Sequence, residues 1–143
     1  MTHRLTTQAS EMQAGSFLAS RAFAVAGASA DRSKFGNKVL RWYLAHGLPV
    51  TPVNPRAQSI EGLECAATVA ALEPDTGLSV VTPPAVTAQL MRDAAQAGIR
   101  RLWLQPGSEP AGWEALAAEL GLDVIGGGPC VLVEGPRLLP PRL

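Results

Sequence analysis

The chain has 143 residues, a formal net charge of zero, 47% apolar residues and 17% charged residues. This size and composition predict one globular domain, and no apolar run approaches the ~20 residues that cross a bilayer. The basic residues are scattered, which argues against nucleic acid or a membrane surface as a partner and favours a small-molecule ligand.

The first twenty residues lack the basic start, long apolar stretch and cleavage site of a secretory signal, so we expect a cytoplasmic protein. Within them, Met12, Phe17 and Leu18 predict a short helix over residues 8–19, packed against the edge of the domain. Residues 1–19 are therefore interpreted as an N-terminal helical extension of a single domain that spans the chain.

A continuous apolar run at residues 21–27 predicts a strand buried on both faces. Apolar residues then recur at helical spacing, which predicts a helix from about Phe35 to His46 that ends at Gly47. The first amides of such a helix point back at the carboxyl end of the strand with the positive end of the helix dipole behind them. This arrangement favours an anion.

The segment from Gly27 to Lys38, which joins this strand to the start of this helix, carries the only lysines of the chain, Lys34 and Lys38. Gly27 and Gly36 would let backbone approach a ligand closely, Ser29 can donate a hydroxyl, and Lys34 supplies a compact charge. We interpret the segment as a phosphate site. The alternative is that the glycines only permit turns and that the lysines are solvated.

The remaining elements continue the alternation of strands and helices. Strands are predicted at residues 48–54, 60–63, 78–82, 101–105 and 123–125, followed by a final apolar run at 130–133. Helices are predicted at residues 68–72, 84–97 and 113–120, the second with Val86, Leu90, Met91, Ala94 and Ala97 on one face. Residues 74–77 are interpreted as a break, and residues 135–143 as a proline-rich tail.

This order predicts an α/β, Rossmann-like, doubly wound fold: a mainly parallel sheet of five to seven strands with helices on both faces. Ligands of such sheets lie outside the carboxyl ends of the strands, where the strand order reverses. We place this point between the first strand and the strand at 78–82. The turns after Gly27, Thr82 and Gln105 should border it, and the turn at residues 54–56 should lie one strand further out.

The turns do not carry the usual nucleotide motifs. A dinucleotide fingerprint needs Gly-x-Gly-x-x-Gly and an acid after the second strand, but the chain has Gly27-Ala28-Ser29 and Asn54-Pro55-Arg56 there. Arg56 would suit the extra ribose phosphate of NADP or of coenzyme A (CoA). A Walker motif is also absent, because Asn37 follows Gly36, and ATP hydrolysis is therefore disfavoured.

The reactive side chains form no catalytic or metal-binding pattern. Cys65 and Cys130 lack a metal or redox spacing, and His3 and His46 are too few for a ligand cluster. A small apolar cysteine in a strand explains Cys130 better than a nucleophile does, because no histidine near it in sequence could form the thiolate. The sequence therefore favours a binding protein over an enzyme.

Five segments in the same order resemble the small bacterial CoA-binding-domain proteins and, more distantly, the CoA-binding domain of the succinyl-CoA synthetase alpha subunit. The segments are residues 27–37, 52–55, 80–84, 103–107 and 130–134, and the resemblance covers about residues 20–134. The chain departs from many relatives at residues 126–129, Gly-Gly-Gly-Pro, where they have a bulkier Asp-Arg pair.

The resemblance implies a binding site for CoA or an acyl-CoA. It implies that the pyrophosphate is surrounded by Gly27, Ala28, Ser29, Lys34, Phe35, Gly36 and Asn37. Near the adenosine and its 3′-phosphate it implies Asn54, Pro55 and Arg56. It implies Thr82, Pro83 and Pro84 across the crevice, and Gln105 and Gly107 toward the pantetheine arm.

The resulting prediction is a CoA-binding module without demonstrated catalysis: a carrier, sensor or protector of CoA thiols, or a partner of another enzyme. The chain has no room for the phosphohistidine and ATP-grasp parts of the synthetase. An NADP-binding oxidoreductase domain and a structural interaction domain with an empty crevice stay open as alternatives, as does pairing with a second copy or an enzyme.

Overall fold

The computed structural model describes residues 8–139, which alternate between strands and helices along most of their length. The helices are α1 Gln8–Leu18, α2 Phe35–Ala45, α3 Pro84–Gln96, α4 Trp113–Leu120 and α5 Val131–Leu138. The strands are β1 Ala22–Ala26, β2 Val50–Val53, β3 Ser59–Ile60, β4 Leu63–Glu64, β5 Thr76–Val80, β6 Arg101–Leu104 and β7 Asp123–Ile125, with a 3₁₀ turn at Val69–Ala71. No helix in this part of the chain is long and apolar enough to cross a membrane.

The main sheet contains five parallel strands in the order β2-β1-β5-β6-β7. Helices cover both faces, so the predicted Rossmann-like α/β fold is confirmed. The strand order reverses between β1 and β5, because the chain passes from β1 to β2 on one side and later returns to β5 on the other. This junction is the predicted switch point.

An aromatic cluster fixes α1 and α2 to one face of the sheet. Phe23 of β1 stacks on Tyr43 of α2 with ring centroids 4.9 Å apart, and Phe17 of α1 meets Trp103 of β6 edge-on at 5.5 Å. The Tyr43 hydroxyl lies 2.6 Å from Ser79 Oγ of β5, and burial raises the pKa of Tyr43. Helix α2, which follows the candidate phosphate segment, is thus held to β1 by packing and to β5 by a buried hydrogen bond.

The amino-terminal helix belongs to the core. A helix over residues 8–19 is confirmed as α1, but Phe17 and Leu18 are only 1% and 0% exposed. Their burial, with the Phe17 ring against Phe23 of β1 and Trp103 of β6, corrects the expectation of an extension at the domain edge. Residues 1–7 lie outside the described part of the chain.

Helix α5 is found where the sequence predicts a final apolar run, at 130–133, and the first part of a proline-rich tail. Its buried face combines Val131 with Glu134 and Gly135, a helical spacing that apolar periodicity cannot reveal because two of the three residues are not apolar. Glu134 is 0% exposed and pairs with Arg137 Nη2 at 2.8 Å. Gly135 is required because a Cβ there would lie 2.4 Å from the Trp42 ring. Residues 140–143 lie outside the described part.

Three further predictions differ from the structure. The predicted strand at 60–63 is the hairpin β3–β4, which forms its own two-stranded antiparallel sheet. The predicted break at 74–77 is wrong in its second half, because β5 begins at Thr76. Helix α3 buries Thr87 together with Met91 and Ala94, whereas Val86 is 51% exposed.

Candidate nucleotide-binding site

Two asparagine side chains hold the loop between β1 and α2. Asn54 Nδ2 donates to the Ala28 carbonyl at 3.0 Å, and Asn37 Nδ2 donates to the Ser29 carbonyl at 2.8 Å. In a trans peptide the N–H points away from the C=O, so the N–H groups of Ser29 and Ala30 face away from the asparagines. Within residues 8–139 neither N–H has a protein acceptor. The loop therefore presents two free amide donors, as in backbone nests that bind anions.

Helix α2 begins directly after this loop without a side-chain cap. Lys34 is the N-cap residue, its backbone is extended, and its side chain makes no capping hydrogen bond. The amides of Phe35, Gly36 and Asn37 form the first turn, which has no acceptors inside a helix. They find none elsewhere in the described chain. The first turn of α2, at the positive end of the helix dipole, therefore adds three more unpartnered donors.

Two glycines bring three backbone segments into contact at this point. A Cβ on Gly36 would lie 2.2 Å from the Gly27 carbonyl oxygen, and a Cβ on Gly27 would lie 2.9 Å from the carbonyl carbon of Val81. Gly27 also has a φ of 89°, which favours glycine. Close approach between the loop, the start of α2 and the end of β5 therefore requires both glycines.

These segments surround an open cleft of about 390 Å³ at the carboxyl ends of β1 and β5, here called the switch-point cleft. Its position is the one predicted from the strand order. Lys34 is the cationic residue in its lining. The lining residues are Gly27, Ser29, Lys34, Phe35, Gly36, Val81, Thr82 and Pro83.

Hydrogen bonds inside the loop leave the Ser29 hydroxyl proton available. Ser29 Oγ accepts the amide of Asp31 at 3.1 Å and can still donate its own proton. The Asp31 carboxylate accepts the hydroxyl and the amide of Ser33 at 2.6 Å and 3.0 Å. These bonds, the hydroxyl first, lower the pKa of Asp31. The carboxylate is therefore engaged by Ser33 while the Ser29 hydroxyl remains a donor.

A second open cavity, of about 730 Å³ and here called the hairpin cavity, lies at the turn after β2. Asn54 Oδ1 accepts the amides of Arg56 and Ala57 at 2.8 Å and 2.9 Å and so shapes this turn. The same side chain holds the Ala28 carbonyl, which links the two cavities. The hairpin cavity is lined by Asn54, Pro55, Arg56, Ala57, Gln58, Ser59, Gly62, Glu64, Cys65 and Ala67.

The structure brings most of the predicted binding residues to these two cavities. Seven line the switch-point cleft: Gly27, Ser29, Lys34, Phe35, Gly36, Thr82 and Pro83. Three line the hairpin cavity: Asn54, Pro55 and Arg56. Ala28 is a buried residue of the loop itself. Asn37 is a buried residue of α2 whose side chain holds the Ser29 carbonyl. Pro84 is the exposed first residue of α3.

Gln105 and Gly107 line neither cavity. Gln105 is 0% exposed, and its Oε1 accepts the amide of Val131 at 2.9 Å, which fixes the start of α5 to the end of β6. The Gly107 amide donates to the Glu109 carboxylate at 2.9 Å, and the same carboxylate accepts the amide of Gly127 at 3.0 Å. The turn after β6 is thus engaged mainly with the segment that precedes α5.

Cys130 is the N-cap residue of α5, in contrast to the strand position predicted for it. The residue is 6% exposed, and burial raises the pKa of its thiol despite the opposing effect of the backbone amides of Leu132 and Val133. A thiol in this state is protonated at neutral pH and is a poor nucleophile.

Sequence reasoning missed Val81 in the switch-point cleft and the hairpin residues Gly62 and Glu64 in the second cavity. A signal for the hairpin was present. Glu61-Gly62 stands between two apolar residues, a spacing typical of a two-residue turn.

A family model described as "CoA binding domain" matches residues 21–136, from the start of β1 into α5. A search of curated proteins finds no match. Among solved structures, a conserved hypothetical protein from Pyrococcus furiosus is 37% identical, with 80% of this chain and 98% of that chain covered and a TM-score of 0.76. A protein from Thermus thermophilus is 31% identical, with coverages of 90% and 98% and a TM-score of 0.78.

A synthetase domain is also similar. The dinucleotide forming acetyl-coenzyme A synthetase 1 of Ca. Korarchaeum cryptofilum is 30% identical with a TM-score of 0.64, over 74% of this chain but only 26% of the synthetase. The similarity to CoA-binding-domain proteins noted in the sequence is confirmed. Since the family model covers every strand of the sheet and most of the helices, the chain belongs to the CoA binding domain family.

Proposed function

We propose that the protein binds CoA or an acyl-CoA, with the pyrophosphate in the switch-point cleft. The observation that carries the proposal is the set of unpartnered amides in the lining of this cleft, those of Ser29 in the loop and of Phe35 and Gly36 in the first turn of α2. The unpartnered amides of Ala30 and Asn37 are next to them in the chain. Several amide donors and a helix dipole suit a doubly charged pyrophosphate, and Lys34 adds a positive charge among them.

The hairpin cavity is the proposed place for the adenosine. Arg56 is exposed at its rim, and a guanidinium matches a phosphate with two parallel hydrogen bonds. The turn at residues 54–56 offers no carboxylate for a free ribose diol. A nucleotide with an additional ribose phosphate, as in CoA, therefore fits this turn better than NAD does.

The proposal assigns no catalytic step. Cys130 is buried, burial raises the pKa of its thiol, and the residue lines neither cavity. A binding protein of this kind would carry or sense CoA or protect its thiol, or would present it to a partner enzyme. The similarity to a domain of an acetyl-CoA synthetase supports CoA as the ligand.

Thermal unfolding with CoA, dephospho-CoA, NADP and NAD tests the ligand. CoA at about 100 times its dissociation constant should stabilise the protein by about 2.7 kcal/mol. Dephospho-CoA should stabilise it less at the same concentration, because it lacks the phosphate assigned to Arg56. Stabilisation by NADP and not by CoA would replace the proposal with the oxidoreductase alternative, and no stabilisation by any of the four would favour an interaction domain.

Lys34→Ala should weaken CoA binding about tenfold or more, because a net charge-assisted hydrogen bond contributes about 1.5–3 kcal/mol. Lys38→Ala is the matched control. Lys38 lies one turn further along α2, about 6 Å away along the axis, is exposed and lines neither cavity. Its loss should change the affinity by no more than about threefold, since solvent screens its charge. Equal effects in isothermal titration calorimetry would remove Lys34 from its assigned role.

A further inference from the structure

The tip of the β3–β4 hairpin has an unusual residue for its backbone conformation. Ile60 pairs with Leu63, and the two residues between them, Glu61 and Gly62, have φ values of 51° and 78°. A two-residue turn with positive φ at both positions favours Asn-Gly or Gly-Gly. Among residues 8–139, Glu61 is the one non-glycine residue with a positive φ. A side chain at this position carries a conformational cost, and such a cost often accompanies a functional constraint.

The carboxylate of Glu61 reaches across to the loop of the switch-point cleft. Its Oε2 accepts Asn37 Nδ2 at 3.1 Å and lies 3.5 Å from Arg32 Nε. Asn37 is 0% exposed, and the same nitrogen donates to the Ser29 carbonyl at 2.8 Å. Glu61 therefore fixes the amide group that orients the Ser29–Ala30 peptide.

Arg41 holds the carbonyl oxygen of the Asn37 side chain. Its Nε donates to Asn37 Oδ1 at 2.7 Å, and its Nη2 donates to the Arg32 carbonyl at 3.0 Å. Arg41 belongs to α2 and Arg32 to the loop, so Glu61 is the member of this cluster that comes from the hairpin. Its neighbours Gly62 and Glu64 line the hairpin cavity. The Glu61 carboxylate thus connects the β3–β4 hairpin, which lines the hairpin cavity, to the loop between β1 and α2.

We propose that Glu61 is a positioning residue for the switch-point cleft. Its carboxylate holds the Asn37 amide against the Ser29 carbonyl, and this keeps the Ala30 N–H turned away from Asn37 and without a protein acceptor in the described chain before a ligand arrives. A carboxylate in contact with a pyrophosphate would repel it, so the action is through Asn37 and Arg32. The inference rests on the proposed function, because the ligand expected in the switch-point cleft is CoA or an acyl-CoA.

Three variants of Glu61 separate positioning from turn formation. Glu61→Gly removes the carboxylate but suits the left-handed backbone, so its melting temperature should stay within a few degrees of wild type while CoA affinity falls about tenfold. Glu61→Asn also tolerates this backbone but is one methylene shorter, and it should lose affinity to the same extent. Glu61→Gln keeps the length and an acceptor oxygen, and it should bind within about threefold of wild type. Titration calorimetry and thermal unfolding give the two readouts.

Wild-type affinity in the Gly and Asn variants would overturn the inference, because a turn residue alone would leave binding unchanged. A second measurement needs no ligand. In ¹⁵N relaxation, the order parameters of Ser29 and Ala30 should fall from about 0.85 toward 0.6 in Glu61→Gly and recover in Glu61→Gln. Unchanged order parameters would overturn the inference even if CoA binds. If wild-type protein binds no CoA, the proposed function fails, and the order parameters still decide the role of Glu61.

Discussion

Gly36→Ala is expected to abolish measurable CoA binding and to lower the free energy of unfolding by about 1–3 kcal/mol. The added Cβ would lie 2.2 Å from the carbonyl oxygen and 3.1 Å from the carbonyl carbon of Gly27, and backbone atoms cannot rotate away as a flexible side chain can. The start of α2 would have to move away from the end of β1, which displaces the amides that face the cleft. Denaturant unfolding measures the stability and titration calorimetry measures the binding.

Gly15→Ala provides the control for this substitution. Gly15 lies inside α1, and a Cβ there would meet no atom within 4 Å. Alanine should therefore leave CoA affinity unchanged and raise the free energy of unfolding by up to about 1 kcal/mol, since it reduces the freedom of the unfolded chain and favours the helix. If Gly36→Ala bound CoA as tightly as this control, the start of α2 would not contact the ligand.

Phe17→Ala should lower the free energy of unfolding by about 3–5 kcal/mol, the usual cost of removing a buried aromatic ring. Phe17 is 1% exposed, and its ring packs against Phe23 and Trp103 at centroid distances of 5.8 Å and 5.5 Å. Its removal would leave a cavity between α1 and the sheet. Denaturant unfolding of the full-length chain measures the effect.

Met12→Ala is the matched substitution on the same helix. Met12 is 67% exposed, so its truncation should change the free energy of unfolding by no more than about 0.5 kcal/mol. Similar values for the two variants would mean that α1 does not pack on the sheet in solution. A large difference would establish that α1 is part of the folding unit, although the family model begins only at residue 21.

The parts of the fold that were predictable are those in which each element carries its own pattern. The strand predicted at 123–125 matches β7, and the apolar spacing from Trp113 to Leu120 predicts a helix where α4 is found. Local apolar spacing and a following glycine define both elements. Helix α5 was not predictable in this way. Its buried face includes Glu134, whose burial depends on Arg137, and Gly135, which fits beneath Trp42. Contacts of this kind arise only after the chain has folded.

The candidate site divides in the same manner. Gly27, Lys34 and Gly36 could be predicted because a strand, a turn and a helix follow one another there and the chemistry is local. The role of Asn54 could not, since its amide holds the Ala28 carbonyl from 26 positions away along the chain. The same applies to Glu61, whose partner Asn37 is 24 positions away. The local sequence between β1 and α2 predicts the donors that are proposed to face a ligand. It does not predict the side chains that orient them, because these come from distant positions in the chain.

The ion pair between Glu11 of α1 and Arg137 of α5, at 3.1 Å, joins residues that are 126 positions apart. During translation at about 5–20 residues per second, α1 would leave the ribosome roughly 6–25 seconds before α5. Phe17 has no ring of Trp103 to pack against until β6 has also emerged. Among the described helices, α1 is therefore synthesised first, but its contacts with Trp103 and Arg137 form only after β6 and α5 have emerged. Until then, the part of α1 that makes these contacts is exposed to chaperones and proteases.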